Sequence, residues 1–141
     1  MRMVSVCGVL CSDCPAYLGE VKGVAHQRQT AAAWGRIYGL QETPENISCG
    51  GCLGPDDELF HTSRNCNARA CCRSKAFLNC AECSVEACPD LENAQSVWDG
   101  VPALAEVLPE GDFASYAQPY CGHRRRLQEL RAQTGNAGKC I

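Results

Sequence analysis

Eleven of the thirteen cysteines in this 141-residue chain fall between Cys7 and Cys88, at short and regular intervals. The runs are Cys7-x3-Cys11-x2-Cys14, Cys49-x2-Cys52, Cys66-x4-Cys71 with Cys72 adjacent, and Cys80-x2-Cys83-x4-Cys88. Two thiolates two residues apart can wrap a tight turn around one ion at about 2.3 Å, with turn N–H groups donating to the sulfurs, and two such turns complete a tetrahedral S4 site. One such pair is weak evidence, but this chain has three: Cys11/Cys14, Cys49/Cys52 and Cys80/Cys83. Gly8, Gly50 and Gly51 suit the tight backbone that these turns need.

Composition explains why such a chain needs staples. Aromatic residues are 6% of the sequence, against 13 glycines and 7 prolines, so the apolar core is modest and turns are many. Disulfides are the rival staple to metal. An odd number of thiols cannot all pair within one chain, and the apolar run from Met1 to Leu10, broken by Ser5 and Cys7, is too short for a secretion signal. No stretch approaches the ~18 apolar residues of a membrane span. The chain reads as cytoplasmic and reduced, a setting in which clustered cysteines bind metal or do chemistry.

Charge divides the sequence. Residues 61–80 carry Arg64, Arg69, Arg73 and Lys75 with no acid, residues 81–120 carry eight acids with no base, and the net charge is −3. We read residues 1–92 as a cysteine-rich metal-binding domain and residues 93–141 as an acidic then basic helical extension packed on it, frayed from about residue 135 with Cys140 free. The fold expected is mainly α: a small metal-stabilised domain with zinc-knuckle-like loops and at most short β ribbons. One helix is expected from Pro15, with Tyr17, Leu18 and Val21 on one face. Another runs from Val24 to Tyr38, with Ala31, Trp34, Ile37 and Tyr38 inward and Gly39 as its stop. Residues 66–77, Pro89 to Trp98 and Pro119 to Gln133 complete the helices, with Tyr120, Leu127 and Leu130 inward on the last. Cys14-Pro15 and Cys88-Pro89 each place a thiolate before a proline at the first helical position, at the positive end of a helix dipole.

The simplest grouping joins Cys11 and Cys14 to Cys49 and Cys52. Cys80 and Cys83 then join Cys66 and either Cys71 or Cys88, with Cys7 and the other thiols spare or in a further site. Adjacent Cys71 and Cys72 point about 100° apart on a helix, so only one serves a given ion. Of the histidines, His61 is a substitute ligand candidate, His26 is expected on the surface, and Cys121-Gly122-His123 reads as a surface pair. The bases from Arg64 to Lys75 offset thiolate charge or form a nucleic-acid face.

The blocks Cys7-Gly-Val-Leu-Cys11-Ser-Asp-Cys14-Pro-Ala-Tyr-Leu, Ile47-Ser-Cys49-Gly-Gly-Cys52, Asn65-Cys66-Asn-Ala-Arg-Ala-Cys71 and Asn79-Cys80-Ala-Glu-Cys83, ending in Cys88-Pro89, occur in that order. They resemble the small prokaryotic cysteine-rich family called domain of unknown function 3795, over residues 5–92. The resemblance implies a metal-binding protein, usually taken as zinc, with no established reaction. Cys72, Cys140 and the segment after residue 95 lie outside the likeness. The metal-ligand set is then Cys7, Cys11, Cys14, Cys49, Cys52, Cys66, Cys71, Cys80, Cys83 and Cys88.

Two functions follow from these residues. The first is a cytosolic zinc protein with closed four-cysteine structural sites, acting as an interaction or regulatory module with an unidentified protein partner. The alternative is an iron–sulfur protein in electron transfer or redox sensing, since thiolates hold clusters as readily as zinc. Cys7-x3-Cys11-x2-Cys14 also matches the signature of radical S-adenosylmethionine enzymes, but their barrels need over ~200 residues of alternating strand and helix. Thiol exchange by a C-x-x-C pair ranks third, because no βαβ pattern accompanies it. No catalytic constellation and no phosphate loop is found, so no reaction is assigned. Acidic balance argues against nucleic acid, and no membrane segment is expected.

Overall fold

The computed structural model describes residues 3–85 and 87–134. These are mainly helical: α1 (Gly19–Lys22), α2 (Val24–Tyr38), α3 (Asn67–Ser74), α4 (Pro89–Ser96), α5 (Glu110–Tyr116) and α6 (His123–Thr134), linked by short 3-10 turns. Extended pairing among the described residues is limited to two isolated bridges, Val4 with Leu10 and Tyr17 with Cys49, both beside cysteine turns. The tail from residue 135 and Cys140 lie outside the described residues. None of the described helices is long and apolar enough to cross a membrane.

The expected helix from Pro15 does not form there. Cys14 to Leu18 make a turn in which Tyr17 N–H donates to Cys14 O and Leu18 N–H donates to Cys49 O at 2.9 Å. The Leu18 N–H, the first that a helix from Pro15 would return to Cys14 O, is thus spent on the Cys49 segment, and Leu18 takes a left-handed φ of 52°. Only then does α1 begin, with Leu18 and Val21 exposed rather than inward. Gly19 is required by proximity: a Cβ there would lie 1.9 Å from the Ile47 carbonyl oxygen.

The longest helix, α2, ends at Gly39, whose φ of 69° lets its own N–H and that of Leu40 return to the Gly35 and Trp34 carbonyls. Its buried face is Gln27, Thr30, Ala33 and Trp34, rotated from the expected stripe. Ala31, Ile37 and Tyr38 are only half-buried because Gln27 is drawn inward to donate to Ile47 O, while the Tyr38 hydroxyl donates to Tyr116 O at 2.6 Å. Helix α4 opens as its sequence asks, with Cys88 as N-cap, Pro89 in the first turn, and Asp90 and Glu92 at the positive end of the dipole. The last helix starts later than Pro119. Residues Gln118–Tyr120 form a 3-10 turn, Gly122 turns the chain at φ 70°, and α6 follows.

Three apolar clusters form the core, and residues beyond 92 enter each. Leu127 joins Val6, Ala68, Cys72 and Cys80. Val101, Ala117 and Tyr120 pack on Cys7 and Val9. Tyr116 closes the third cluster over Trp34 and Ile47. Burying a side chain such as Leu127 contributes about 2 kcal/mol. Arg124 on α6 then grips both Glu92 oxygens of α4 at 2.9 Å and both Asp99 oxygens at 2.8 Å.

Candidate metal centre

The first cysteine turn is built around Ser5. Its hydroxyl accepts the Val9 N–H at 2.9 Å and touches the Cys7 sulfur at 3.2 Å, and Ser5 N–H closes the loop onto Val9 O at 2.8 Å. Gly8 holds a φ of 106° at the tip, where a Cβ would lie 2.1 Å from the His123 carbonyl oxygen. Burial pushes the Cys7 thiol up, although the Val9 N–H also points at it; neighbouring Cys52 and Cys66 push it further. Cys14 is also raised by burial, with the Tyr120 hydroxyl and the Ala16 and Tyr17 N–H groups acting against it. Since Pro15 lies in a turn, Cys14 gains no helix dipole; its support comes instead from those N–H groups.

The second turn brings Cys49 and Cys52 to the first. Gly51 N–H donates to the Cys49 sulfur at 3.4 Å, and Cys49 neighbours Cys14. Cys52 neighbours Cys11. The Cys11 side chain, then the Val6 backbone and the Arg69 guanidinium, lower Cys52 to about 7, while Cys11 is driven up. Cys52 N–H in turn points at the Cys11 sulfur. Arg69 is 3% exposed and is held by Cys52 O at 3.0 Å, Gly54 O at 2.6 Å and Asp56 at 2.5 Å. Arg73 shares Asp56 at 2.9 Å, so these two bases of the basic run are engaged within the chain.

The third group surrounds a cavity of about 30 Å³ lined by Cys71, Cys72, Cys80, Cys83 and Cys88. The Cys72 and Cys80 sulfurs are 3.6 Å apart, and their shared hydrogen bond lowers Cys72 and raises Cys80. Val85 N–H donates to the Cys83 sulfur at 3.4 Å. Cys66 does not line this cavity, but it packs against the cluster that contains Cys72 and Cys80, and it lies near enough to Cys7 to add to the raising of that thiol.

The histidines face elsewhere. His61 is 2.7 Å from a Glu42 oxygen, and His26, half-buried rather than on the surface, is 2.7 Å from Pro15 O. His123 is buried, with Nε2 2.8 Å from Gln95 O, and Cys121 donates to Ala117 O, so these two are not a surface pair. The sequence places Arg69 among the bases that offset thiolate charge and Tyr120 on an inward face, and both are found beside cysteines; the contact of Cys72 with Cys80 carried no signal.

Among the described residues no three cysteine, histidine or carboxylate side chains converge in the geometry that holds an ion. The donor chemistry does fit a thiolate-bound metal. The twelve described cysteines are free thiols, main-chain N–H groups donate to the sulfurs of Cys49 and Cys83, and nearby backbone favours the charged form of Cys7, Cys11, Cys14 and Cys52. Such donors stabilise charged sulfur far more than neutral thiol. Soft thiolates of this kind suit zinc or an iron–sulfur cluster, and a closed zinc site would supply cross-linking of the turns rather than an open coordination position.

No curated protein and no solved structure matches the chain. Residues 3–93 match the cysteine-rich family described as protein of unknown function (DUF3795), and the chain belongs to that family.

Proposed function

We propose that this chain is a metal-binding protein of a reducing compartment such as the cytoplasm. Zinc is held by cysteine thiolates in closed sites that stabilise the fold and present it to a protein partner. The observation that carries the reading is a pair of C-x-x-C turns in which a main-chain N–H two residues on donates to a cysteine sulfur at 3.4 Å, Gly51 to Cys49 and Val85 to Cys83. Such donors are the ones that a thiolate on a metal draws from its own turn. The modest core supports the same reading, because turns this rich in glycine need a cross-link.

The test is to purify the protein under reductant without oxygen or chelator and to count metal per folded chain by native mass spectrometry and elemental analysis. At least one zinc per chain is expected. Less than one equivalent of any metal in folded, reduced protein overturns the reading. A brown preparation containing iron and inorganic sulfide would transfer the same ligands to an iron–sulfur cluster.

A further inference from the structure

We propose that Cys72, rather than its neighbour Cys71, completes an S4 metal site with Cys80, Cys83 and Cys88. The inference rests on the metal-binding reading above and assigns one ligand within it. Adjacent residues on α3 diverge by about 100°, so one of the two thiols takes the inner position. Both line the cavity, but Cys72 is the more deeply buried at 3% exposed, whereas Cys71 is only half-buried.

Distance favours the same residue. Two sulfurs bound at about 2.3 Å to one tetrahedral ion lie ~3.8 Å apart. The Cys72 and Cys80 sulfurs are 3.6 Å apart, close to that edge length before any ion is added. Cys83 and Cys88 line the same cavity of about 30 Å³, so closing three or more of these sulfurs around one ion takes a local rearrangement of the turn and not a refolding. Val85 N–H already supports the Cys83 sulfur, and Cys88 sits at the N-cap of α4. Four thiols that take up one zinc ion release four protons and leave a centre of charge −2. Lys75 and Arg131 line the cavity and offset that charge.

The experiment is proton–cadmium correlation NMR on the full chain loaded with the NMR-active cadmium isotope. The Cys72 Hβ protons are expected to couple to the same cadmium as those of Cys80, Cys83 and Cys88. Cys71 Hβ protons in that place, or Cys72 coupled to no cadmium or to a different one, overturn the assignment. Substitution gives a second readout: Cys71→Ser keeps the wild-type metal count, and Cys72→Ser loses one equivalent. The opposite pattern also overturns the assignment. Should Cys72→Ser fail to fold, the wild-type cadmium spectrum decides alone. A folded chain that takes up neither cadmium nor zinc refutes the metal-binding reading itself; metal bound without Cys72 refutes only this ligand.

Discussion

The hydroxyl of Tyr120 lies 3.1 Å from the sulfur of Cys14, joining residues 106 positions apart. Tyr120 is buried, and its ring stacks on Trp98 with centroids 4.7 Å apart. Burial raises the phenol well above its ordinary value, and the Cys14 charge adds to this, so Tyr120 keeps its proton and is the group able to hydrogen-bond a charged Cys14 sulfur. Replacing Tyr120 by Phe keeps the stacking and removes the donor. The expected loss is about 1 kcal/mol in urea unfolding, together with faster capture of metal by a competing chelator. Unchanged values for both would mean that the contact carries no weight.

Arg69 is a buried cation. Its guanidinium satisfies the half-buried carbonyls of Cys52 and Gly54 and pairs with exposed Asp56. Arg69→Ala removes these bonds and the cation beside Cys52, so a loss of about 2 kcal/mol is expected in denaturant unfolding. Lysine should recover only part of it, because one ammonium cannot copy the fork that reaches three acceptors.

Gly8→Ala puts a methyl against the His123 carbonyl at a backbone angle that L side chains seldom adopt. The expected cost is at least ~2 kcal/mol. Thermal unfolding of the variant beside wild type measures it, and a shift of less than a degree would contradict the close approach.

The metal-free, reduced protein should be most stable near neutral to mildly alkaline pH. Cys7, Cys11, Cys14 and Cys80 are raised in the fold, so the stability they contribute is full below the unfolded thiol value of about 8.5 and is lost as pH climbs above it. Cys52 is lowered to about 7 and acts in the opposite direction: its contribution is present above the unfolded value and is lost as pH falls through about 7. Urea midpoints across this range, read without metal and with reductant, should pass through a maximum. A flat profile would contradict the buried thiol pairs.

Much of this arrangement is legible in the sequence, for identifiable reasons. Cysteine spacing and glycine placement are local signals, and the turns at Cys7, Cys49 and Cys83 follow them. The two Cys-Pro dipeptides show where local signals stop. Cys88-Pro89 opens a helix as read, whereas Cys14-Pro15 does not, because the Cys49 carbonyl takes the Leu18 N–H that a helix would return to Cys14. The choice between Cys71 and Cys72, the inward turn of Arg69 and the reach of Tyr120 to Cys14 all depend on contacts distant in sequence. No short window contains them.

The carbonyls of the cysteine-bearing turns are gripped from outside the family-matched stretch. Gln95 donates to Cys7 O at 3.0 Å, Arg126 to Gly8 O at 2.6 Å and Arg131 to Cys80 O at 3.1 Å. A fragment trimmed to the matched residues would retain all ten expected ligands and yet lose the scaffolding that fixes their peptide planes. The later helices thus brace the peptide planes of turns whose own sequence lies wholly within the matched stretch.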